Sequence, residues 1–321
     1  TQQLIITEVI PDSPAQTAGL QKGDRVLAIA GQSTVGMSVR DASTLIRGDV
    51  GTEVELQISR NGLLERSFAI ARAQIEVPNV FSTLRLEGAN RVGYIRLNEF
   101  SGHAAEQMEA AITELSEQQV DGFVLDLRGN PGGLLRASID ISRMWIDRGA
   151  IVQTVYRGGE SEDSRAMGTA LTDLPLTVLV DSQSASSSEI LTGALMDNRR
   201  ATIVGSRTFG KALVQSVQSL SDGSGLAVTV AHYYTPNGID ISSTGITPHI
   251  EIDLTGRERR QLANQPELMG TAADPQYSRA LLVLNDAIIA NQPNQNAQQP
   301  NLPGTATEVA GSAESGAASQ D

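Results

Sequence analysis

The sequence contains no cysteine, which excludes disulfides, thiol catalysis and cysteine-ligated metals. No stretch approaches the roughly 18 uninterrupted apolar residues of a membrane-spanning helix. The formal charge is −13 and the pI about 4.7, with no cluster of Lys and Arg, and recognition of nucleic-acid phosphates requires such a cluster. We therefore expect no nucleic-acid partner and no integral membrane segment, and the avoidance of cysteine suits an exported protein.

Lysine is almost as scarce as cysteine. Of 24 basic residues only Lys22 and Lys211 are lysines, and Lys211 lies in the stretch "TFGKALV". Arginine stays charged in proteins, whereas a lysine in an apolar setting can lose its proton and act as a base. Phe209, Ala212, Leu213 and Val214 are expected to supply that setting. A solvated charge is the alternative interpretation of a lysine in a loop.

At 321 residues, 40% of them hydrophobic, the chain has room for two domains. Residues 1–72 alternate short apolar runs with Gly and Pro, which predicts a small β-rich domain with one helix from Val39 to Arg47. Residues 73–255 alternate strands with longer helices, which predicts an α/β domain with a mixed, largely parallel sheet. In residues 256–321, "PQYSRALLVLNDAIIANQ" predicts one amphipathic helix, followed by a disordered tail of small and polar residues.

Three turns that follow predicted strands are candidates for one shared cleft, because ligands bind at the carboxyl ends of strands in such sheets. The turns follow "VLDL", "TVLV" and "ATIV". The second turn is rich in serines at the start of a helix, and Lys211 lies 25 residues beyond Ser186. The serines are Ser182, Ser184, Ser186, Ser187 and Ser188. A serine nucleophile requires a base, either a histidine or a lysine. From the residues alone, a helix N-cap remains the alternative role for these serines.

Histidine is the usual base in serine hydrolases, and the chain has three. His103 lies at the predicted start of a helix, His232 in a predicted strand, and His249 after Pro248 in a predicted loop. A capping role or an exposed position accounts for each of these three histidines as well as a catalytic role does. A lysine base would need its pKa lowered from about 10.4 to about 7 or 8.

Two longer motifs resemble the carboxyl-terminal processing proteases, serine endopeptidases with a Ser–Lys dyad. They are "LDLRGNPGG" and "VDSQSASSSEILTGALMDNRRATIVGSRTFGKALVQ". The earlier stretch "PDSPAQTAGLQKGDRVLAIAGQST" resembles a PDZ domain of the bacterial protease type, and "RLEGANRVGYIRLNEFS" resembles cyanobacterial members. A β-sandwich of unknown role is the alternative for the first domain.

The resemblance implies a catalytic role for each of several residues. It places the nucleophile at Ser186, with Ser187 and Ser188 as alternatives because residue 187 is serine where the family commonly has alanine. It implies Lys211 as the general base and Gln215 as the residue that positions the lysine amine, unless Gln215 is an ordinary polar strand residue. For the oxyanion hole it implies the N–H groups of Gly132, or of the adjacent Gly133, and of Ser187.

The same resemblance implies how substrates are chosen. The PDZ domain would bind polypeptides with accessible carboxyl termini, and cleavage would occur near that terminus. Arg47 would couple this domain to the protease core, although a solvated arginine at a helix C-terminus is the alternative. The carboxylate-binding loop would lie just before "LIITEVI" and is expected to be truncated. The chain starts at Thr1, so we expect a mature or trimmed protein of the periplasm or thylakoid lumen whose targeting segment lies outside it.

No cofactor or metal is expected, since zinc-protease and P-loop signatures are absent from the sequence. Two rival functions remain. A catalytically inactive PDZ scaffold would lack the nucleophile or the base, and both are present. An esterase or acyl-transfer enzyme on a related core is disfavoured because no GxSxG motif surrounds the candidate serines.

Overall fold

The computed structural model describes residues 3–10, 13–62, 64–75, 78–221 and 224–291. The chain forms two compact units, Thr1–Asn79 and Val80–Asp321. An α/β core with a mixed sheet, preceded by a small β-rich unit, is therefore confirmed. None of the described helices is long and apolar enough to cross a membrane.

The first unit is an antiparallel sheet with two short helices. Its elements are β1 (Leu4–Ile5), α1 (Pro14–Thr17), β2 (Arg25–Ile29), β3 (Gln32–Ser33), α2 (Val39–Ile46), β4 (Glu53–Arg60) and β5 (Leu64–Ala71). The strands follow the order β1-β2-β4-β5, with β3 paired to β2. From Glu53 to Ile58 in β4 the residues alternate between exposed and buried, because successive side chains of a strand point to opposite faces.

Local sequence signals explain how α1 begins and ends. The Ser13 side chain accepts a hydrogen bond from the Gln16 N–H, and Pro14 occupies the first helical position, which requires no N–H donor. Gly19 follows the helix with φ +88°, a conformation that glycine adopts readily. These local signals explain a short helix between Ser13 and Gly19.

The second unit contains all the other strands and α-helices that the structure describes. They are β6 (Val80–Glu87), β7 (Asn90–Leu97), α3 (Ala104–Glu117), β8 (Gly122–Asp126), α4 (Leu135–Trp145), β9 (Ala150–Tyr156), β10 (Ser161–Arg165), β11 (Leu176–Val180), α5 (Ser187–Asp197), β12 (Thr202–Gly205), β13 (Leu213–Ser219), β14 (Gly225–Tyr234), β15 (Ile250–Glu251), α6 (Gly256–Asn264) and α7 (Pro275–Asn291).

Six of these strands form the central sheet, in the order β15-β12-β11-β8-β7-β6. All neighbours are parallel except β6 and β7. All five residues of β8 are buried, and they alternate between two hydrophobic clusters. Phe123 and Leu125 pack with α3, α4 and α5, whereas Val124 packs with α7. The sheet is therefore covered on both faces, as parallel sheets require.

Helix α7 forms one complete layer of this core. Tyr277, Leu284 and Ile288 are buried against the sheet, and the Tyr277 ring meets the Tyr94 ring edge-on. The single helix predicted from "PQYSRALLVLNDAIIANQ" is therefore present. The tail predicted to be disordered lies in residues 292–321, outside the described residues.

A second, antiparallel sheet of four strands follows the order β10-β9-β14-β13. Its edge strand β13 begins two residues after Lys211. The register between β13 and β14 shifts between Val214 and Gln215, as it does at a β-bulge. The base predicted from the sequence therefore lies in the connection between the two sheets.

Candidate active site

The three turns that follow β8, β11 and β12 are joined by backbone hydrogen bonds. The Ala185 N–H donates to the Asn130 carbonyl (3.1 Å), and the Phe209 N–H donates to the Ser184 carbonyl (3.0 Å). The Gly129 N–H donates to Oδ1 of Asp181 at 3.0 Å. The glycine-rich turn, the serine turn and the lysine turn therefore meet at one edge of the central sheet.

Ser186 has an unusual backbone conformation, with φ +56° and ψ −115°. Few residues other than glycine adopt positive φ, and this ψ lies outside the left-handed helical region. Such a conformation costs on the order of 1–3 kcal/mol and clusters at functional sites. The residue is half-buried and lies at the junction of the turn and α5. A strained serine between a strand and a helix is the arrangement that exposes the nucleophile in α/β-hydrolases.

The side chains of the two serines after Ser186 are buried and hydrogen-bonded. Ser187 and Ser188 are 1% and 0% exposed. The Ser187 hydroxyl donates to the Gly133 carbonyl at 3.0 Å, and the Ser188 hydroxyl donates to the Asn130 carbonyl at 2.9 Å. Of the three adjacent serines, Ser186 is therefore the most accessible, and the other two hold the glycine-rich turn against α5.

Glu189 connects the serine turn to the lysine turn. It is fully buried, and its Oε2 accepts hydrogen bonds from the backbone N–H groups of Ser186 (3.0 Å) and Lys211 (2.9 Å). Its Oε1 accepts from the Gly210 N–H (2.7 Å) and the Thr208 hydroxyl (2.5 Å). A buried carboxylate is tolerated when charge-assisted hydrogen bonds surround it. One side chain thus fixes the separation of the two turns.

Tyr233 adds a second link between the same residues. Its side chain comes from β14 and is 2% exposed. The hydroxyl donates to the Ser186 carbonyl at 3.1 Å and also to the Lys211 carbonyl. Burial, followed by the nearby charge of Glu189, raises the pKa of Tyr233 well above its ordinary value. The phenol therefore stays protonated and remains a donor at neutral pH.

Lys211 is half-buried, and its surroundings differ in part from the expectation. Ala212 is 1% exposed and Leu213 and Val214 are half-buried, but Phe209 is 62% exposed. The Phe209 backbone is fixed by Ser184, and its side chain lies largely in solvent. The apolar setting comes from the residues after the lysine.

Gln215 is exposed on β13, next to the register shift. Among the residues that the structure describes, its side chain forms no hydrogen bond with Lys211. The structure therefore does not bring these two side chains together, and the positioning role of Gln215 stays a prediction.

Gly132 lies directly against the serine turn. A β-carbon on it would stand 2.7 Å from the Ala185 carbonyl oxygen and 2.8 Å from Cβ of Ser186, and its φ is +102°. Only glycine fits these contacts. The Gly132 N–H donates to Oδ1 of Asn130 at 2.9 Å. Ser187 is the first residue of α5, and an N–H at that position has no acceptor within its own helix.

A buried ionic network lies directly before the glycine-rich turn in the chain. Arg128, 2% exposed, donates to Asp126 (2.6 Å) and Asp274 (2.7 Å), whose side chains are fully buried. Tyr94 donates to Oδ2 of Asp126 at 2.7 Å. Burial alone would raise the pKa of Asp126, but the charge and hydrogen bonds of Arg128 hold it below its ordinary value. The network joins the end of β8 to the start of α7.

The remaining candidates lie elsewhere. Arg47 is exposed at the C-terminus of α2, where its N–H donates to the Ser43 carbonyl. His103 begins α3 without a side-chain capping bond, and His232 is exposed on β14. Nδ1 of His249 accepts a hydrogen bond from the Ile203 N–H at 3.0 Å, which gives this histidine a structural role. No group of three His, Asp or Glu side chains in the described segments could hold a metal ion.

Sequence reasoning missed Glu189, Tyr233 and Arg128. A signal for Glu189 was present, since Ser186 and Glu189 have the serine-x-x-glutamate spacing of a capping box. Tyr233 had no local signal, because it reaches the site from a strand more than 40 residues away. The second carboxylate partner of Arg128 is 146 residues distant, so only the fold reveals that pair.

Comparisons with known proteins agree with the arrangement of the chain. The model of peptidase family S41 matches residues 91–252, and the PDZ domain model matches residues 5–60. The carboxyl-terminal-processing protease of Synechocystis is 44% identical over 290 residues, which cover 90% of this chain and 66% of that protein. The corresponding protease of Picosynechococcus is 44% identical, and the match covers 88% of this chain and 67% of that protein.

The solved photosystem II D1 C-terminal processing protease is also similar. It is 36% identical, with a TM-score of 0.53, over 86% of this chain and 74% of that one. The chain spans about two thirds of the length of the two cyanobacterial relatives. From the family match, the relatives and the shared arrangement of domains, we conclude that this chain belongs to peptidase family S41 and carries a PDZ domain.

Proposed function

We propose that this protein is a serine endopeptidase that cleaves protein substrates near their carboxyl termini, with Ser186 as nucleophile and Lys211 as general base. The observation that carries the proposal is that one buried carboxylate, Glu189, accepts hydrogen bonds from the backbone N–H groups of both residues. The turns that carry the nucleophile and the base are therefore fixed next to each other. Membership of a serine peptidase family supports the same chemistry.

The proposed mechanism follows from the chemistry of the Ser186 hydroxyl and the Lys211 amine. Neutral Lys211 takes the proton of the Ser186 hydroxyl while the serine oxygen attacks the scissile carbonyl carbon. The ammonium then gives its proton to the leaving amine as the C–N bond breaks, which leaves an ester on Ser186. Lys211 next removes a proton from water, and the hydroxide attacks the ester. Collapse of the second intermediate returns the proton to Ser186 and releases the new carboxylate.

The oxyanion of both intermediates is proposed to bind the N–H groups of Ser187 and Gly132. The close packing of Gly132 against Ser186 and Ser187 supports this pair. Because the Gly132 N–H donates to Asn130, it must exchange Oδ1 of Asn130 for the substrate oxygen. Gln215 is proposed to turn from its exposed position on β13 towards the Lys211 amine and to hold it near Ser186.

The first unit is proposed to bind the carboxyl-terminal segment of the substrate. PDZ domains extend their sheet with a peptide strand and take up its last side chain in an apolar pocket. A cavity of about 540 Å³ within this unit has an apolar wall that includes Ile6, Leu20 and Leu56, and Arg47 also lines it. We propose that an apolar terminal side chain enters this cavity and that Arg47 senses its presence.

The relatives indicate where such substrates occur. The similar proteins include cyanobacterial and chloroplast processing proteases, which supports an exported enzyme of the periplasm or thylakoid lumen. One solved relative is named for processing the D1 protein of photosystem II. A photosystem precursor is therefore the first natural substrate to test.

The direct test is cleavage of an unfolded protein that ends in a free apolar residue. The wild type is expected to shorten it from the carboxyl end, and Ser186→Ala and Lys211→Ala are expected to lose this activity. Matched controls are Lys22→Ala, which removes the other lysine, and Ser161→Ala, which removes an exposed serine on β10. Equal cleavage by the wild type and both active-site variants would refute the dyad, whereas binding without cleavage by the wild type would favour an inactive scaffold.

A further inference from the structure

A second cavity, of about 250 Å³, lies in the protease unit and is lined mainly by polar residues. It lies at the carboxyl ends of the central strands, and α6 forms one of its walls. Arg96 is the second-last residue of β7, Ser182 belongs to the serine turn, and Ser206 follows β12. Arg259 reaches the cavity from α6. The catalytic proposal uses none of these side chains.

Positive charge dominates the lining. Arg96, Arg128 and Arg259 all line the cavity. Arg128 is neutralised by two buried carboxylates. Arg96 and Arg259 have no carboxylate partner among the residues that the structure describes. Two cations that form no ion pair with any described residue therefore line the cavity.

The single carboxylate in this described lining is Asp181, and backbone donors surround it. Its Oδ1 accepts from the N–H groups of Gly129 (3.0 Å), Gln183 (2.9 Å) and Ser184 (3.1 Å). Asp181 thus shapes the serine turn and pairs with neither Arg96 nor Arg259. The positive charge of these two arginines remains available to a ligand.

The guanidinium of Arg96 provides an independent indication of a missing acceptor. Its Nε is buried and has no hydrogen-bond partner in the described part of the chain. Among the described residues its Nη1 donates a hydrogen bond to the sulfur of Met269, at 3.2 Å, and a thioether is a weak acceptor. Buried polar groups in proteins nearly always have hydrogen-bond partners. A buried donor without an acceptor therefore requires an explanation, such as an unseen ion.

We propose that this cavity binds a small oxyanion of the phosphate or carboxylate class with at least two acceptor oxygens. The guanidinium groups of Arg96 and Arg259 hold its charge, since the planar guanidinium matches such anions. The hydroxyls of Ser182 and Ser206 supply further donors, and Leu262 and Met269 provide an apolar wall for a short carbon chain. The volume suits a single small anion rather than a nucleotide.

The site has a consequence for the serine turn. Ser182 and Gln183 line the cavity and lie four and three residues before Ser186. A bound anion would stabilise this turn together with the end of β7 and α6. Occupancy should therefore be detectable in the stability of the folded protein, independently of any peptidase activity.

The test is titration of the whole protein with inorganic phosphate and, separately, with malonate, in a buffer free of other oxyanions. Sodium chloride keeps the ionic strength constant, because exposed charges are screened by salt. Calorimetry should show saturable one-site binding of at least one probe, and Tm should rise with its concentration. The preferred probe distinguishes a phosphate site from a carboxylate site.

Variants decide whether the arginines hold the anion. Arg96→Gln and Arg259→Gln should each weaken binding by about tenfold or more, the effect of losing one hydrogen bond to a charged group. Arg257→Gln removes a charge from α6 that does not line the cavity, and it should bind like the wild type. If Arg96→Gln fails to fold, the exposed Arg259 decides the question. Absence of saturable binding of both probes, or equal affinity of the Arg259→Gln and Arg257→Gln variants, would overturn the proposal.

Discussion

The backbone nitrogen of Ser186 lies 3.0 Å from Oε2 of Glu189, and the same oxygen also accepts the Lys211 N–H. Replacing this carboxylate should therefore disturb the proposed nucleophile and the proposed base together. We predict that Glu189→Gln lowers kcat by at least about tenfold, because hydrogen bonds to a charged group contribute roughly 1.5–3 kcal/mol. The added amide nitrogen also faces N–H donors, so Tm should fall as well.

A matched control for this variant exists on α6. Glu258 is the third residue of that helix and forms a capping box with Thr255, just as Glu189 is the third residue of α5 and forms a capping box with Ser186. Glu258→Gln should reduce Tm slightly and leave kcat unchanged. Unchanged kcat in Glu189→Gln, measured on folded protein, would show that this carboxylate does not position the dyad.

Tyr233→Phe tests the second link. The variant keeps the ring and loses the hydroxyl that donates to the Ser186 and Lys211 carbonyls. We expect a stability loss of about 1 kcal/mol and a lower kcat with little change in KM, because the turns that carry the dyad lose a shared donor. Tyr234→Phe, on the next residue of β14, should behave like the wild type in both measurements.

Much of this arrangement could be predicted from the sequence, because the relevant signals are local. The Gly-rich turn after "VLDL", the serine turn after "TVLV" and the lysine turn after "ATIV" all follow buried parallel strands, whose carboxyl ends meet at one edge. The role of Tyr233 could not be predicted, since its contacts depend on how β14 pairs with β13. The same holds for Arg128 and Asp274, which only the packing of α7 brings together.

Gly132→Ala tests the glycine-rich turn. The added methyl would meet the Ala185 carbonyl oxygen at 2.7 Å, and alanine rarely adopts φ +102°. The turn should move away from Ser186, and loss of one oxyanion donor typically costs about 2.7–4 kcal/mol of transition-state stabilisation. We therefore expect kcat to fall by about 10²–10³. Gly158→Ala, where a methyl would meet nothing within 4 Å, should retain full activity.

The buried ionic network predicts a pH dependence of stability. Asp126 has a pKa below its ordinary value in the folded protein, so its contribution is complete above the unfolded pKa of about 3.9. As the pH falls through and below that value, the unfolded state binds more protons and the free energy of unfolding decreases. Denaturant titrations between about pH 6 and pH 3 should show this loss. In Asp126→Asn the free energy of unfolding should already be lower at neutral pH and should fall less steeply in acid.

Arg47→Ala tests the coupling between substrate binding and catalysis. Turnover of a protein with an apolar carboxyl terminus should decrease, while cleavage of a short unstructured peptide that does not need the PDZ domain should be unchanged. Arg40→Ala, an exposed arginine on the same helix, provides the control. Equal turnover of the protein with the apolar carboxyl terminus by Arg47→Ala, Arg40→Ala and the wild type would contradict the coupling role. Arg47 would then be a solvated residue at the helix C-terminus.

Because Asp274 lies far from Arg128 along the chain, we expect their ion pair to form late during synthesis. Arg128 precedes the glycine-rich turn, and 146 residues separate it from Asp274. At about 5–20 residues per second, a ribosome needs roughly 7–30 s to cover that distance. During this interval the sheet lacks its α7 layer and the arginine lacks its second carboxylate. In a nascent chain the ionic network that contains Arg128 is therefore expected to stay incomplete until α7 has emerged.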